Sequence, residues 1–229
     1  MALKLYELLG DDDRRFSPYC WRIRMALAHK ELEAEIIPCR FTDKAPFAFS
    51  GQDRVPVLQD GDAAIADSWD IACYLEDTWP DRPSLFGGAV GRGEARFINE
   101  WLPILNRPVL LTVLKDIFDH CHPDDRAYFR DSREARFGKT LEELHAERET
   151  HRPAIETAMA PLRAVLAQQP YICGDAPAFG DYIVFGVFQW VRIISPLRLV
   201  EPGDAVYDWR ARMLDLHDGL GRSVTAYPE

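Results

Sequence analysis

The stretch from Pro80 to Gly93 holds Pro80, Pro83, Gly87, Gly88, Gly91 and Gly93, and it divides the chain into two parts of different character. Proline and glycine at that density interrupt any regular element, so residues 80–93 read as a linker between domains. Before it, short apolar runs alternate with helical patterns. After it, helical periodicity holds almost to the end. A chain of 229 residues is long enough to bury a sizeable core, and the expected division is an α/β unit over residues 1–86 and an all-helical unit over residues 87–229.

Within the first part, Leu3, Leu5 and Tyr6 make Ala2 to Leu8 a short strand, and Gly10 to Arg15 is polar enough to be a loop. Ser17 and Pro18 then stand where a helix places its N-cap and first residue. The hydroxyl faces unpaired amides of the first turn, and proline forfeits no hydrogen bond there. The helix runs on to Lys30. Strand, loop and capped helix in that order present amides and a positive dipole end to an anion. Ala34 to Pro38 is a second strand, and Phe41 to Phe49 a short irregular or helical piece. Arg54-Val55-Pro56-Val57-Leu58-Gln59, Asp60-Gly61-Asp62 and Ala63-Ala64-Ile65-Ala66 read as strand, tight turn and strand. Pro56 forfeits a ladder hydrogen bond, so it belongs at an edge, a bulge or a cis peptide that turns the preceding backbone outward. Asp67-Ser68 then opens a helix over Trp69 to Trp79, whose Ile71, Ala72, Tyr74 and Leu75 recur at helical spacing.

In the second part, Glu94 to Asp119 is expected as one long amphipathic helix bent by Pro103 and Pro108. Ser132 or Lys139 to Gln169 is a second, with a charged, solvated middle. Asp181 to Ile194 is almost wholly apolar and so a buried core helix. Asp204 to Asp218 is a fourth.

Composition narrows the function. Hydrophobic content of 47% with 11% aromatics is globular, and no apolar run approaches the roughly 18 residues of a membrane span. Met1 leads straight into a strand, without a leader of the secretory kind, and five cysteines without a framework spacing fit reduced thiols. A cytoplasmic protein is expected. A net charge of -10 argues against a nucleic-acid partner. His120-Cys121-His122 raises the question of metal, but no second ligand pair stands at zinc spacing, so a helix-end loop is the expectation and no metal.

Taken together, the strand, the Phe16-Ser17-Pro18-Tyr19-Cys20-Trp21-Arg22 helix start, Arg54-Val55-Pro56-Val57, Asp67-Ser68-Trp69 and Trp79-Pro80-Asp81-Arg82-Pro83-Ser84-Leu85-Phe86 resemble a cytosolic glutathione transferase. Within that superfamily they look most like the branch of bacterial beta-aryl etherases and their fungal relatives. The resemblance covers essentially the whole chain. It implies a thioredoxin-like α/β domain to Phe86, an all-helical domain walling a cleft, and a homodimer. Its substrates would be glutathione and a small hydrophobic electrophile.

The same resemblance implies roles for residues. The glutathione cysteine backbone would pair antiparallel with Val55, ahead of a cis Pro56. The γ-glutamyl end would meet Ser68 and Asp67, where a helix start favours its carboxylate and the acidic side chain its ammonium. Arg54 offers a guanidinium to a carboxylate or stands as a solvated surface arginine. Ser17 would stabilise the thiolate. Lowering a thiol pKa by about 2 needs roughly 2.7 kcal/mol of preferential stabilisation. One hydroxyl hydrogen bond to an anion contributes about 1.5–3 kcal/mol and a helix start about 0.3–1 kcal/mol, so Ser17 suffices.

Two side chains compete for that role. Tyr6 occupies the strand position of the activating tyrosine in some transferase classes, but a later Ser-Pro helix looks more like the serine and cysteine classes, in which that tyrosine packs. Cys20 closes a Ser-Pro-Tyr-Cys segment resembling a glutaredoxin motif with its first cysteine replaced, and one turn into the helix it reads as a small buried apolar residue. The second substrate is expected between Ser17, Tyr19 and the bent helix carrying Trp101, Leu105 and Arg107. A glutathione-binding protein without turnover and a glutathione-dependent thiol-disulfide reductase stay open as alternatives. The family's cap hydroxyl is absent at Ala178, at a cost of about 1 kcal/mol unless Asp181 or a neighbour compensates.

Overall fold

The structure is a computed structural model and describes residues 2–228; Met1, expected just ahead of the first strand, and Glu229 lie outside the described residues. The first domain runs β1 (Leu3–Leu8), α1 (Pro18–His29), β2 (Ala34–Cys39), β3 (Val57–Asp60), β4 (Ala63–Ala66) and α2 (Ser68–Thr78). Its sheet has the order β2-β1-β3-β4, with β2 parallel to β1 and β3 antiparallel to both β1 and β4. This is the thioredoxin-like arrangement. A helical crossover is what joins two parallel neighbours, and a tight turn at Gly61, in the left-handed region at φ 58, joins β3 to β4.

The hairpin is shorter than its sequence suggests. Tyr6 pairs with Val57 and Leu58 with Ile65, but Arg54, Val55 and Pro56 precede the ladder, because proline has no N–H to give it. The Val55–Pro56 peptide is cis.

The second domain is helical: α3 (Ala89–Trp101), α4 (Pro103–Asp119), α5 (Arg126–Phe137), α6 (Leu141–Ala146), α7 (Arg152–Leu166), α8 (Phe179–Ile194) and α9 (Ala205–Gly219). The single helix expected over residues 94–119 is two. Pro103 cannot donate to the carbonyl four residues back, so one helix closes at Trp101 and another opens with proline at its first position. Helix α3 also starts earlier than expected and takes in Gly91 and Gly93. The long segment ending at Gln169 is likewise three helices. Gly138, at φ 68, closes α5, Thr140 and Glu143 form a reciprocal capping box for α6, and α7 opens at Arg152-Pro153.

Helix α8 is the column around which both domains pack. Every residue in it except Arg192 is buried. Its N-terminus lacks a capping hydroxyl at Ala178, and Asp181 compensates. The Asp181 carboxylate accepts from the backbone N–H of Ala178 at 3.1 Å, of Ile172 at 2.7 Å and of Cys173 at 3.3 Å, and from Trp209 Nε1 at 2.9 Å.

Helix α1 lies directly on α8. A Cβ added at Gly186 would stand 2.3 Å from the Pro18 carbonyl oxygen, so only glycine lets α8 approach the first turn of α1 this closely. Trp21 meets Phe185 edge to face, with ring centroids 6.4 Å apart. At the other end of α1, the buried Lys30 ammonium holds Glu76 at 2.9 Å and the Pro83 carbonyl at 3.2 Å, fastening the start of the linker to the first domain. A second seam joins the loop after β2 to the helical domain: the buried Asp125 carboxylate accepts from the N–H groups of Phe41 at 2.9 Å and Thr42 at 3.0 Å.

Candidate functional site

The first turn of α1 is built by its own sequence. Ser17 has extended backbone angles, φ -62 and ψ 119, and its Oγ accepts from the Cys20 N–H at 3.3 Å, the geometry of an N-cap. Tyr19 stands half-exposed beside it. The same hydroxyl lies by the Cys20 thiol. Burial, with Glu7 nearby, pushes that thiol up to about 12, and the Ser17 hydrogen bond only partly offsets this. Cys20 is therefore a protonated, enclosed thiol at neutral pH and a poor nucleophile.

Tyr6 is committed elsewhere. Its hydroxyl donates to Gln59 Oε1 at 2.9 Å, and its ring packs in a satellite cluster with Cys39, Phe47 and Val57. Burial raises its pKa above the ordinary tyrosine value, which disfavours a phenolate there.

Two groups around α1 have recognition capacity to spare. Among the described residues, neither the N–H nor the C=O of Val55 has a hydrogen-bond partner, although Val55 is half-buried and Pro56 buried. An extended peptide can pair with such a backbone. Asp67 caps α2, its Oδ1 accepting from Trp69 N–H at 2.8 Å, and holds φ 71, a conformation that side chains other than glycine adopt only when their surroundings impose it. Ser68 follows, buried at the first residue of α2.

The structure adds a residue to which the sequence assigned no role. Arg22, 3% exposed, donates from Nη1 to Ser68 Oγ at 3.2 Å and to Asn99 Oδ1 of α3 at 2.9 Å, and its guanidinium lies 4.6 Å from the Tyr19 ring centroid. Burial lowers its pKa to about 10, against the opposing pull of Tyr19 and Asp67. No carboxylate reaches ion-pair distance of it among the described residues, and its Nε has no partner. A buried cation of this kind is costly unless an anion joins it. The one signal in the sequence was an arginine among Cys20, Trp21 and Ile23, on a face that would otherwise be apolar.

The remaining residues do not gather at this point. Arg54 is 88% exposed and lies 3.5 Å from Asp53. Trp101 packs half-buried against the main core, and Leu105 is fully buried within it, offering no surface to a ligand. Arg107 lies on a groove of about 570 Å³ between α4 and α7, lined by Ile104, Pro108, Leu111, Pro153 and Thr157, with no residue of the first domain. The trio at the end of α4 is dispersed. His120 Nε2 lies 2.9 Å from Tyr227 Oη, Cys121 is buried, and His122 accepts from the Asp124 N–H at 3.3 Å.

Two family models match the chain, the N-terminal domain of glutathione S-transferase over residues 16–78 and its C-terminal domain over residues 94–201. Glutathione S-transferase U22 of Arabidopsis thaliana is 25% identical over 185 residues, covering 79% of this chain and 72% of that protein. Among solved structures, glutathione transferase GSTFuA3 from Phanerochaete chrysosporium aligns with a TM-score of 0.77 at 26% identity, over 96% of this chain and 92% of that one. Glutathione S-transferase CsGST63524 of Ceriporiopsis subvermispora, solved in complex with glutathione, shares the fold at a TM-score of 0.81 and 22% identity, over 98% and 99% of the two chains.

Proposed function

The chain belongs to the glutathione S-transferases, and from that premise we propose that Ser17 activates the glutathione thiolate for attack on a small hydrophobic electrophile. The juxtaposition of the unbalanced Arg22 guanidinium with Ser68 carries the reading. The γ-glutamyl carboxylate supplies the anion that this buried cation lacks. Ser68 accepts from Arg22, which leaves its own hydroxyl hydrogen to donate to that carboxylate, and Asp67 faces the ammonium. The Val55 backbone takes the cysteine backbone antiparallel. The thiol then lies at the start of α1.

There the glutathione proton leaves to solvent, and the Ser17 hydroxyl donates a hydrogen bond to the sulfur, aided by the helix dipole. The sulfur lone pair forms the bond to the electrophilic carbon, and the leaving group departs with the electrons of the bond that breaks. Neither step asks Ser17 to become a nucleophile. A thiol-disulfide reductase would need a reactive cysteine, and Cys20 is enclosed and held protonated. Beta-aryl ethers are the first electrophiles to assay, on the strength of the Ser17-Pro18-Tyr19 and Arg54-Val55-Pro56-Val57 segments, with the half-exposed Tyr19 as the candidate wall for their rings.

The protein acts as a cytoplasmic homodimer in this reading. Val90, Phe97 and Ile104 are 77%, 72% and 61% exposed and recur every seven residues along α3 and the start of α4, an apolar stripe of the kind a second copy covers. Among the described residues no helix is long and apolar enough to cross a membrane.

The direct test is Ser17→Ala. The thiol pKa of bound glutathione, followed by thiolate absorbance against pH, should rise by about 1, equivalent to roughly 1.4 kcal/mol, and conjugation should slow accordingly. An unmoved midpoint with undiminished turnover would transfer the role to the backbone amides of the first turn of α1.

A further inference from the structure

Far from Ser17, at the opposite end of α1, three ionisable rings from three helices meet. His29 is the last residue of α1, and its Nδ1 lies 2.6 Å from the hydroxyl of Tyr182, a fully buried residue of α8. His217 Nε2 lies 3.3 Å from the same hydroxyl. His217 sits where α9 departs from helical geometry: it holds φ 53 and Asp218 holds φ 58, while Leu216 is extended at ψ 151. Two successive residues other than glycine in the left-handed region are uncommon and need surroundings that impose them. The tyrosine hydroxyl is one such contact, and it reaches from the helical domain to the first domain in the same step.

The hydrogen count decides how this cluster behaves. A phenol has one hydrogen to donate and one oxygen to accept with. With both imidazoles neutral, Tyr182 donates to one ring nitrogen and accepts from the N–H of the other. A first proton on the ring that donates leaves this chain as it is, and on the ring that accepts it reverses the chain with a change of tautomer at the other ring. A second makes both rings obligate donors, leaves the phenol hydrogen without an acceptor, and places two cations on rings whose centroids are 6.2 Å apart.

The surroundings oppose charge on the rings more than they favour it. His29 faces the Lys30 ammonium, the Ser84 backbone and Glu76, and burial is the largest influence, lowering its pKa. Burial and then His29 lower that of His217, against Asp218. On the side of α8, Asp181 with Tyr171 and Cys173 face Tyr182, whose pKa burial raises. Of the nearby carboxylates, Glu76 is paired with Lys30 and Asp181 is saturated by its four donors.

We propose that His29, Tyr182 and His217 form a proton-operated latch, holding the thiol-site domain to the helical domain while both imidazoles are neutral and releasing the kinked end of α9 when both are charged. A histidine whose folded pKa lies below its unfolded value of about 6.5 takes up a proton on unfolding, so stability is lost as pH falls through that value.

The test compares the full chain with a His29→Gln/His217→Gln variant in denaturant titrations from about pH 8 to pH 5. Each linked proton changes the unfolding constant tenfold per pH unit. The wild type should therefore lose stability more steeply than the variant, by up to a hundredfold per pH unit for the pair. Hydrogen exchange over residues 213–223, corrected for intrinsic pH effects, should accelerate at least tenfold below about pH 6 in the wild type. In Tyr182→Phe, which keeps the ring packing, it should already be fast at about pH 8. Equal slopes overturn the latch, as does exchange over 213–223 that is insensitive to pH or to loss of the hydroxyl. Should the double variant not fold, His217→Gln alone should remove up to tenfold per pH unit, and an unchanged slope there overturns the latch equally.

Discussion

Arg22 and Asp181 are both buried charges near the start of a helix, and they differ in how completely the chain answers them. Asp181 is enclosed and receives four hydrogen bonds, from Ile172, Cys173, Ala178 and Trp209. Arg22 is enclosed almost as fully, yet among the described residues it has only the neutral oxygens of Ser68 and Asn99 as hydrogen-bond partners, a ring face, an Asp67 charge beyond ion-pair distance, and an unpartnered Nε. Burial raises the Asp181 pKa, and its hydrogen bonds oppose that rise and tie the start of α8 to the preceding turn and to α9. A charge left unsaturated costs stability in the free protein and is retained where a ligand completes it.

That contrast can be broken most forcefully at Asp181. Removing the carboxylate in Asp181→Ala strands three backbone N–H groups and an indole N–H, and at about 1.5–3 kcal/mol for a hydrogen bond to a charged group, partly offset by relaxation, the loss should be about 4 kcal/mol. Urea denaturation reads it, and a loss below about 1 kcal/mol would mean that the helix start does not depend on this residue.

Arg22→Met should do the reverse. Replacing an uncompensated buried ion by an apolar side chain of similar volume is neutral or stabilising, so the unfolding midpoint should hold or rise. The glutathione Kd measured by calorimetry should weaken by about tenfold or more, since about 1.4 kcal/mol is a factor of ten. A variant that loses stability while keeping its affinity would place Arg22 with Asp181 on the structural side.

The smallest effect is expected at Ser68. Ser68→Ala removes one donor to the carboxylate while Arg22 still faces it, so the Kd should rise several-fold and turnover at saturating glutathione should stay near the wild-type rate. A Kd shift as large as that of Arg22→Met would show that Arg22 acts on the ligand only through the Ser68 hydroxyl.

How much of this was legible beforehand depended on the reach of each interaction along the chain. Ser17 and Pro18 announced the start of α1 because a cap is settled within one turn. The Asp-Gly turn placed the β3–β4 hairpin, and Asp67-Ser68 the start of α2, for the same reason. The breaks in the second domain carry local signals too, at Pro103, Gly138 and Thr140, but helical periodicity runs across them and does not register a break of one or two residues. Ala178 carries no cap hydroxyl, and Asp181, three residues on and so within reach of a local reading, accepts from its amide instead.

The sequence by itself determined the two-part architecture, the capped helix at Ser17, the helix start at Asp67-Ser68 and the family, because each rests on residues within a few positions of one another or on motifs in a fixed order. Only the tertiary structure decided that Arg22 meets Ser68, 46 positions away, and Asn99, 77 positions away. It also decided that Tyr6 turns to Gln59, that Leu105 faces the core rather than a ligand, and that His29 and His217 share one hydroxyl. The physical reason is that helical periodicity tells which residues share a face but not what that face meets. What it meets is set by how α1, α3, α4 and α9 pack around α8, and that packing depends on close approaches such as the one Gly186 permits.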